Sequence, residues 1–180
     1  MRTKTWATPV VAGLASLALL TPSAQGAPSA LDRPAGSGAL QPAVRLDPPR
    51  IQQSPAAQAV FDLVNAERAA RGLAPMTYDV ELELAAQRHS EDQARSQRMS
   101  HTGSDGSTMV QRIDRVGFAW RSAAENVAYG HGTPAAVMAA WMNSDGHRRN
   151  ILSSNTHIGI GLASGTDGRP YWTQVFATPA

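Results

Sequence analysis

Downstream of Ser54-Pro55, apolar residues recur at helical spacing. Val60, Leu63, Val64 and Ala70 make one stripe, and Gly72 stands where a helix ends. Ser54 reads as the cap and Pro55 as the first-turn residue of this helix. Asp79 offers a cap for a second helix reaching about Gln97, with Val80, Leu84 and Ala85 inward and Arg88, Glu91, Asp92 and Arg95 on a solvated face. His89 is placed on that solvated face beside Asp92. A shorter helix is predicted after Ser107, with Val110, Ile113 and Val116 on one side and a stop at Gly117. Thr133-Pro134 opens a fourth, in which Val137, Met138, Trp141 and Met142 fall at helical spacing and read as core. The pattern then changes to strand. Ile158 to Leu162 and Tyr171 to Phe176 flank Thr166-Asp167-Gly168, a hairpin turn signal, with His157 as an edge residue just before the first strand. Helices with a small antiparallel sheet make an α+β domain.

The first 54 residues carry none of these patterns. Arg2 and Lys4 precede an apolar run from Trp6 to Leu20, then small residues through Ala24-Gln25-Gly26-Ala27. That is the layout of a cleaved export signal over residues 1–26, and the apolar run is short of the ~20 residues that span a bilayer. Residues 27–54 are punctuated by Pro and Gly without an apolar period and read as a disordered linker. The globular part is thus expected over 55–180, in a protein secreted to the extracellular space with no membrane anchor after cleavage.

Charge and composition narrow the chemistry. The chain has 180 residues and a formal net charge of +2, which Arg2 and Lys4 supply, so the exported part is balanced and has no basic surplus for nucleic acid. There is no Cys, which removes thiol nucleophiles, disulfides and thiolate metal sites. Lys4 is the one lysine, which removes Schiff-base chemistry and P-loop phosphate transfer from the exported part. Gly130-His131-Gly132-Thr133-Pro134-Ala135 matches a dinucleotide fingerprint in letters only. No parallel strand follows it and Asp145 comes too soon for a ribose contact, so no nucleotide or organic cofactor is expected.

Four polar spots offer candidate chemistry: His101 in the loop after the second helix, Glu125 in Ala124-Glu125-Asn126-Val127, His147 just past the Trp141 helix, and Gly130-His131-Gly132. Two imidazoles and a carboxylate suit either a three-ligand zinc site with an open position or an acid/base pair. Each histidine is equally readable as a solvated loop residue. Glu125 sits in a half-buried run, where a carboxylate must be paired or protonated.

These stretches together resemble the CAP superfamily of cysteine-rich secretory, antigen 5 and pathogenesis-related proteins, in its secreted bacterial SCP-like branch. The likeness rests on Asn65-x-Glu67-Arg68, the His101 loop, Ala124-Glu125-Asn126, Trp141 through Arg148 with Asn150-Ile151-Leu152, Ile158-Gly159-Ile160-Gly161 and Tyr171 through Phe176. It implies an α-β-α sandwich with a small central antiparallel sheet and a cleft. It also implies His101, His147 and Glu125 as cleft residues able to hold a divalent cation, often zinc, with Glu125 as the candidate catalytic group. Where relatives carry a second cleft glutamate this chain has Ser144, with Asp145 beside it. That departure weakens hydrolysis, because a pair of acid/base glutamates is unavailable. The resemblance implies, in order, an extracellular ligand-binding or interaction module for a small apolar molecule or cell-envelope component, a zinc-assisted hydrolase of peptide or cell-wall material, and a structural extracellular protein.

Overall fold

The computed structural model describes residues 53–180; the expected export signal and nearly all of the expected linker lie outside the described residues. The elements run α1 (Pro55–Ala69), β1 (Thr77–Tyr78), α2 (Val80–Ser96), α3 (Met109–Arg115), β2 (Trp120–Tyr129), α4 (Pro134–Met142), α5 (Asp145–Ile151), β3 (His157–Ser164) and β4 (Pro170–Pro179). Local chemistry sets most helix starts. Ser54, Asp79, Thr108 and Thr133 each accept a hydrogen bond from a first-turn N–H, with Pro55 and Pro134 entering their helices at the first turn. Gly72 and Gly117 adopt positive φ just past α1 and α3.

The strands form one sheet in the order β1-β3-β4-β2. β2, β4 and β3 pair antiparallel, as expected, whereas the two-residue β1 pairs parallel to β3. His157 therefore begins an interior strand, with Thr77 on one side and Ala177 on the other, rather than an edge. Alternate residues of the sheet feed two cores. Ile158, Ile160, Trp172 and Phe176 pack with Val60 and Val64 of α1 and Val137, Met138 and Trp141 of α4. On the opposite face Val175 and Ala177 pack with Leu82 and Ala86 of α2 and Ile113 of α3. The result is the α-β-α sandwich.

Gly159 and Gly161 explain how close α2 lies. A Cβ on Gly159 would sit 2.0 Å from the backbone of Leu82 and Glu83, and one on Gly161 2.4 Å from that of Ala86. The helix backbone rests directly on β3, which only glycine permits at those two positions.

The inward face of α2 differs from the expected one. Val80 is 57% exposed and Leu84 half-buried, while Leu82, Ala85, Ala86, His89, Ser90 and Gln93 are buried. The face was hidden because three of its members are polar. Ser90 and Gln93 donate to the buried Thr173 hydroxyl, and His89 Nε2 meets the Ser100 carbonyl at 2.8 Å. His89, expected on the surface, is 1% exposed.

Candidate functional site

Glu125 belongs to β2, a strand that sequence periodicity does not show because Ala123-Ala124-Glu125-Asn126-Val127 lacks alternation. Its side chain shares the sheet face of Ala123 and Val175 and is 3% exposed. A carboxylate so buried requires compensation. Arg112 of α3 supplies it: Nη2 donates to Glu125 Oε2 at 2.6 Å, and Arg112 is itself 7% exposed. The other oxygen, Oε1, meets His101 Nδ1 at 2.8 Å. Arg112 also donates to the backbone carbonyls of Ser107 and His101, so one guanidinium ties the His101 loop, α3 and β2 together.

Sequence reading passed over Arg112. A signal was present: Met109, Arg112, Ile113 and Val116 fall at i, i+3, i+4 and i+7, so the arginine stands in the apolar stripe of α3, where an unpaired charge is costly.

His147 is carried by α5, a helix with Ile151 as its one buried residue and therefore without a readable stripe. Other groups hold α5 in place. Asn126 donates to the His147 carbonyl and to Gln174 Oε1, and Asn150 donates to the Glu125 carbonyl and to Asn126 Oδ1. Buried Arg68 of α1 donates to the carbonyls of Ile151 and Ser153 at the far end. The Asn126 and Arg68 signatures are thus fasteners that position His147.

The protonation of the two site histidines is set differently. Glu125 raises the His101 pKa through its hydrogen bond to the ring, against partial desolvation. Burial lowers that of His147, and charge on His101 lowers it further, so the two rings lie within electrostatic reach of each other. Ser144 caps α5 without a side-chain cap hydrogen bond and lines the same hollow as His147. Asp145 turns away to Arg148 at 2.5 Å and is largely exposed.

Among the described residues no group of three His, Asp or Glu side chains stands ready to hold a metal. Both Glu125 oxygens have partners, which places this carboxylate behind His101 as an orienting group, the position carboxylates take behind metal-ligating histidines. His101 Nε2 and the His147 ring are the donors left for a cation, one fewer than the three protein ligands of an open zinc site.

Two hollows flank this cluster. One, of about 300 Å³, is lined by His101, Thr102, Thr108, Met109 and Glu125. The other, of about 290 Å³, is mostly apolar. Val127, Ala128 and Tyr129 of β2 form one wall and Ala140 and Trp141 of α4 another, with His147, His131 and Met99 at its edges. Met99 and Tyr129 are exposed large apolar residues at this hollow.

A layered sandwich with a buried arginine–glutamate pair at the edge strand, capped by an exposed histidine and flanked by a second, defines the class. The sequence signature of the cysteine-rich secretory protein family matches residues 61–176, and the chain belongs to that family, the CAP proteins. It is 40% identical over 118 residues to the uncharacterized protein YkwD of Bacillus subtilis, covering 65% of this chain and 45% of that one. Among solved structures it is similar to an extracellular SCP-domain protein of Bacillus anthracis, at 31% identity and a TM-score of 0.62, covering 68% of this chain and 40% of that one. An outer surface protein of Borrelia burgdorferi shares the fold at 21% identity, with a TM-score of 0.66 and coverage of 72% of this chain and 97% of that one. The chain spans less than half the length of YkwD and of the Bacillus anthracis protein. No helix among the described residues is long and apolar enough to cross a membrane.

Proposed function

We propose that this protein is an extracellular binding module whose hollow beside His147 takes an apolar, ring-sized group of a small molecule or cell-envelope component. The observation that carries this reading is the mostly apolar hollow beside His147, next to a Glu125 whose two oxygens are already engaged. A hydrolytic base needs a free carboxylate oxygen facing water, and here one oxygen is held by Arg112 and the other by His101. The adjoining hollow offers an apolar floor, two imidazoles at its edge and exposed Met99 and Tyr129. At about 290 Å³ it lies at the small end of ligand sites, which span roughly 300–1,000 Å³. That favours one ring over a whole lipid. The extracellular setting rests on the leader-like first 26 residues and on the likeness to an extracellular Bacillus anthracis protein.

A divalent cation, if bound, would be held by His101 and His147, and it would supply Lewis acidity to a bound water or ligand oxygen. Glu125 keeps the His101 proton on Nδ1 and so leaves Nε2 as the donor atom.

The test uses indole as the probe. Titration into the full chain, followed by the methyl signals of Met99 and Val127 in NMR spectra, is expected to give a saturable shift. Ala140→Trp, which fills the hollow from α4, is expected to abolish it. Absence of a saturable shift, or an unchanged shift in Ala140→Trp, overturns the reading.

A further inference from the structure

Away from that hollow, α2, α3 and the loop between them enclose a third concavity of about 250 Å³ whose walls are basic. Arg88 and Arg95 come from α2 and Arg112 and Arg115 from α3. Two carboxylates also line it, and both are engaged. Asp92 accepts from the backbone N–H and hydroxyl of Ser104, and Asp105 accepts from the Ser107 N–H and from Arg115. Burial lowers the pKa of His89, which keeps that ring neutral at pH 7. Arg112 is paired with Glu125, so four guanidiniums against three carboxylates leave one positive charge in excess. Arg88 and Arg95 form no ion pair among the described residues.

The buried side of the pocket supplies an independent observation. Arg112 is more than nine-tenths buried and its Nη atoms have partners, yet its Nε–H has none among the described residues. His89, also lining the pocket, donates from Nε2 to the Ser100 carbonyl, so Nδ1 is a bare acceptor, and it too is without a partner among them. Buried polar atoms left open in a folded protein call for an explanation. A donor and an acceptor beside a positive wall complement hydrogen phosphate, whose oxygens accept from guanidinium forks and whose O–H donates.

We propose that the concavity between α2 and α3 is a phosphate site, with Arg88 and Arg95 as outer clamps and Arg112 and His89 at its buried side. A phosphate at neutral pH carries about −1.5 to −2 charge, which the two guanidiniums without ion pairs, Arg88 and Arg95, would face. The site is separate from the apolar hollow and does not depend on it.

Inorganic phosphate is titrated into the full chain at pH 7.5 and constant ionic strength, and the Arg112 Nε–H and Ser104 amide signals are followed by NMR. A saturable shift is expected. Arg88→Gln/Arg95→Gln, at two exposed positions and with the fold checked by circular dichroism, is expected to weaken binding at least about tenfold. Methyl phosphate in a parallel titration separates the sources: binding as tight as inorganic phosphate supports an esterified ligand, and binding of inorganic phosphate alone supports the free ion. A pocket without a saturable shift, an unchanged midpoint in the double variant, or acetate matching phosphate overturns the proposal.

Discussion

Glu125 and Arg112 are each costly to bury and are tolerated only as a pair. Glu125→Gln leaves the guanidinium facing a neutral amide, and since breaking a buried pair costs about 3–5 kcal/mol, a loss near the lower figure is expected because two carbonyls still hold Arg112. Urea unfolding measures it; a loss within error of zero would show that the pair contributes nothing. The same carboxylate gives His101 a pH signature. Its pKa is raised above the ordinary 6.5, so the protonated ring's contribution is full below pH 6.5 and is lost as pH rises through the folded value. The side chain is 60% exposed, so the effect stays under about 1 kcal/mol. His89 works in the opposite direction. Burial lowers its pKa, so stability is full above pH 6.5 and falls as pH drops toward the folded value. Unfolding of His101→Gln and wild type across pH 6 to 8 is expected to show a gap that narrows as pH rises; a constant gap contradicts the assignment. Among these residues His101, Glu125 and His147 were legible as polar spots in apolar company. Arg112 showed only its place in the α3 stripe, because its partner Glu125 lies on another element, β2.

The helices with capped ends were readable because a cap is local: Ser54, Asp79 and Thr133 announce α1, α2 and α4 within a few residues of chain. β2 and α5 escaped for tertiary reasons. β2 is buried along Asn126 to Ala128 on both faces, so no alternation survives, and α5 is fixed by Asn126, Asn150 and Arg68 rather than by an apolar stripe of its own. The phase of α2 was misread because its contact with the sheet is partly polar. Its closeness to β3 gives the sharpest test at this scale. Gly159→Ala places a methyl group 2.0 Å from helix backbone that cannot swing aside, so destabilisation at or beyond the usual ~3 kcal/mol ceiling for overpacking is expected. Thermal unfolding followed by circular dichroism reads it, and a variant as stable as wild type would contradict the packing.

At the level of the whole molecule, the fold and the family were legible from six separated motifs, because four of them mark a fastener the sandwich needs: Arg68 under α5, Glu125 with Arg112, Asn126 and Asn150 across β2 and α5, and the glycines of β3 under α2. Ligand choice was not legible, since the hollow beside His147 is assembled from β2, α4, α5 and the loop residues Met99 and His131. One fold hosts many activities, and the site has to decide among them. Native mass spectrometry on protein isolated from its own source without chelator, beside Ala140→Trp and His101→Ala, bears on that decision most directly. The account predicts a small organic adduct on the wild-type protein that persists in His101→Ala and is lost in Ala140→Trp. Protein that carries no organic adduct, or only a zinc-sized one that vanishes in His101→Ala, would contradict it.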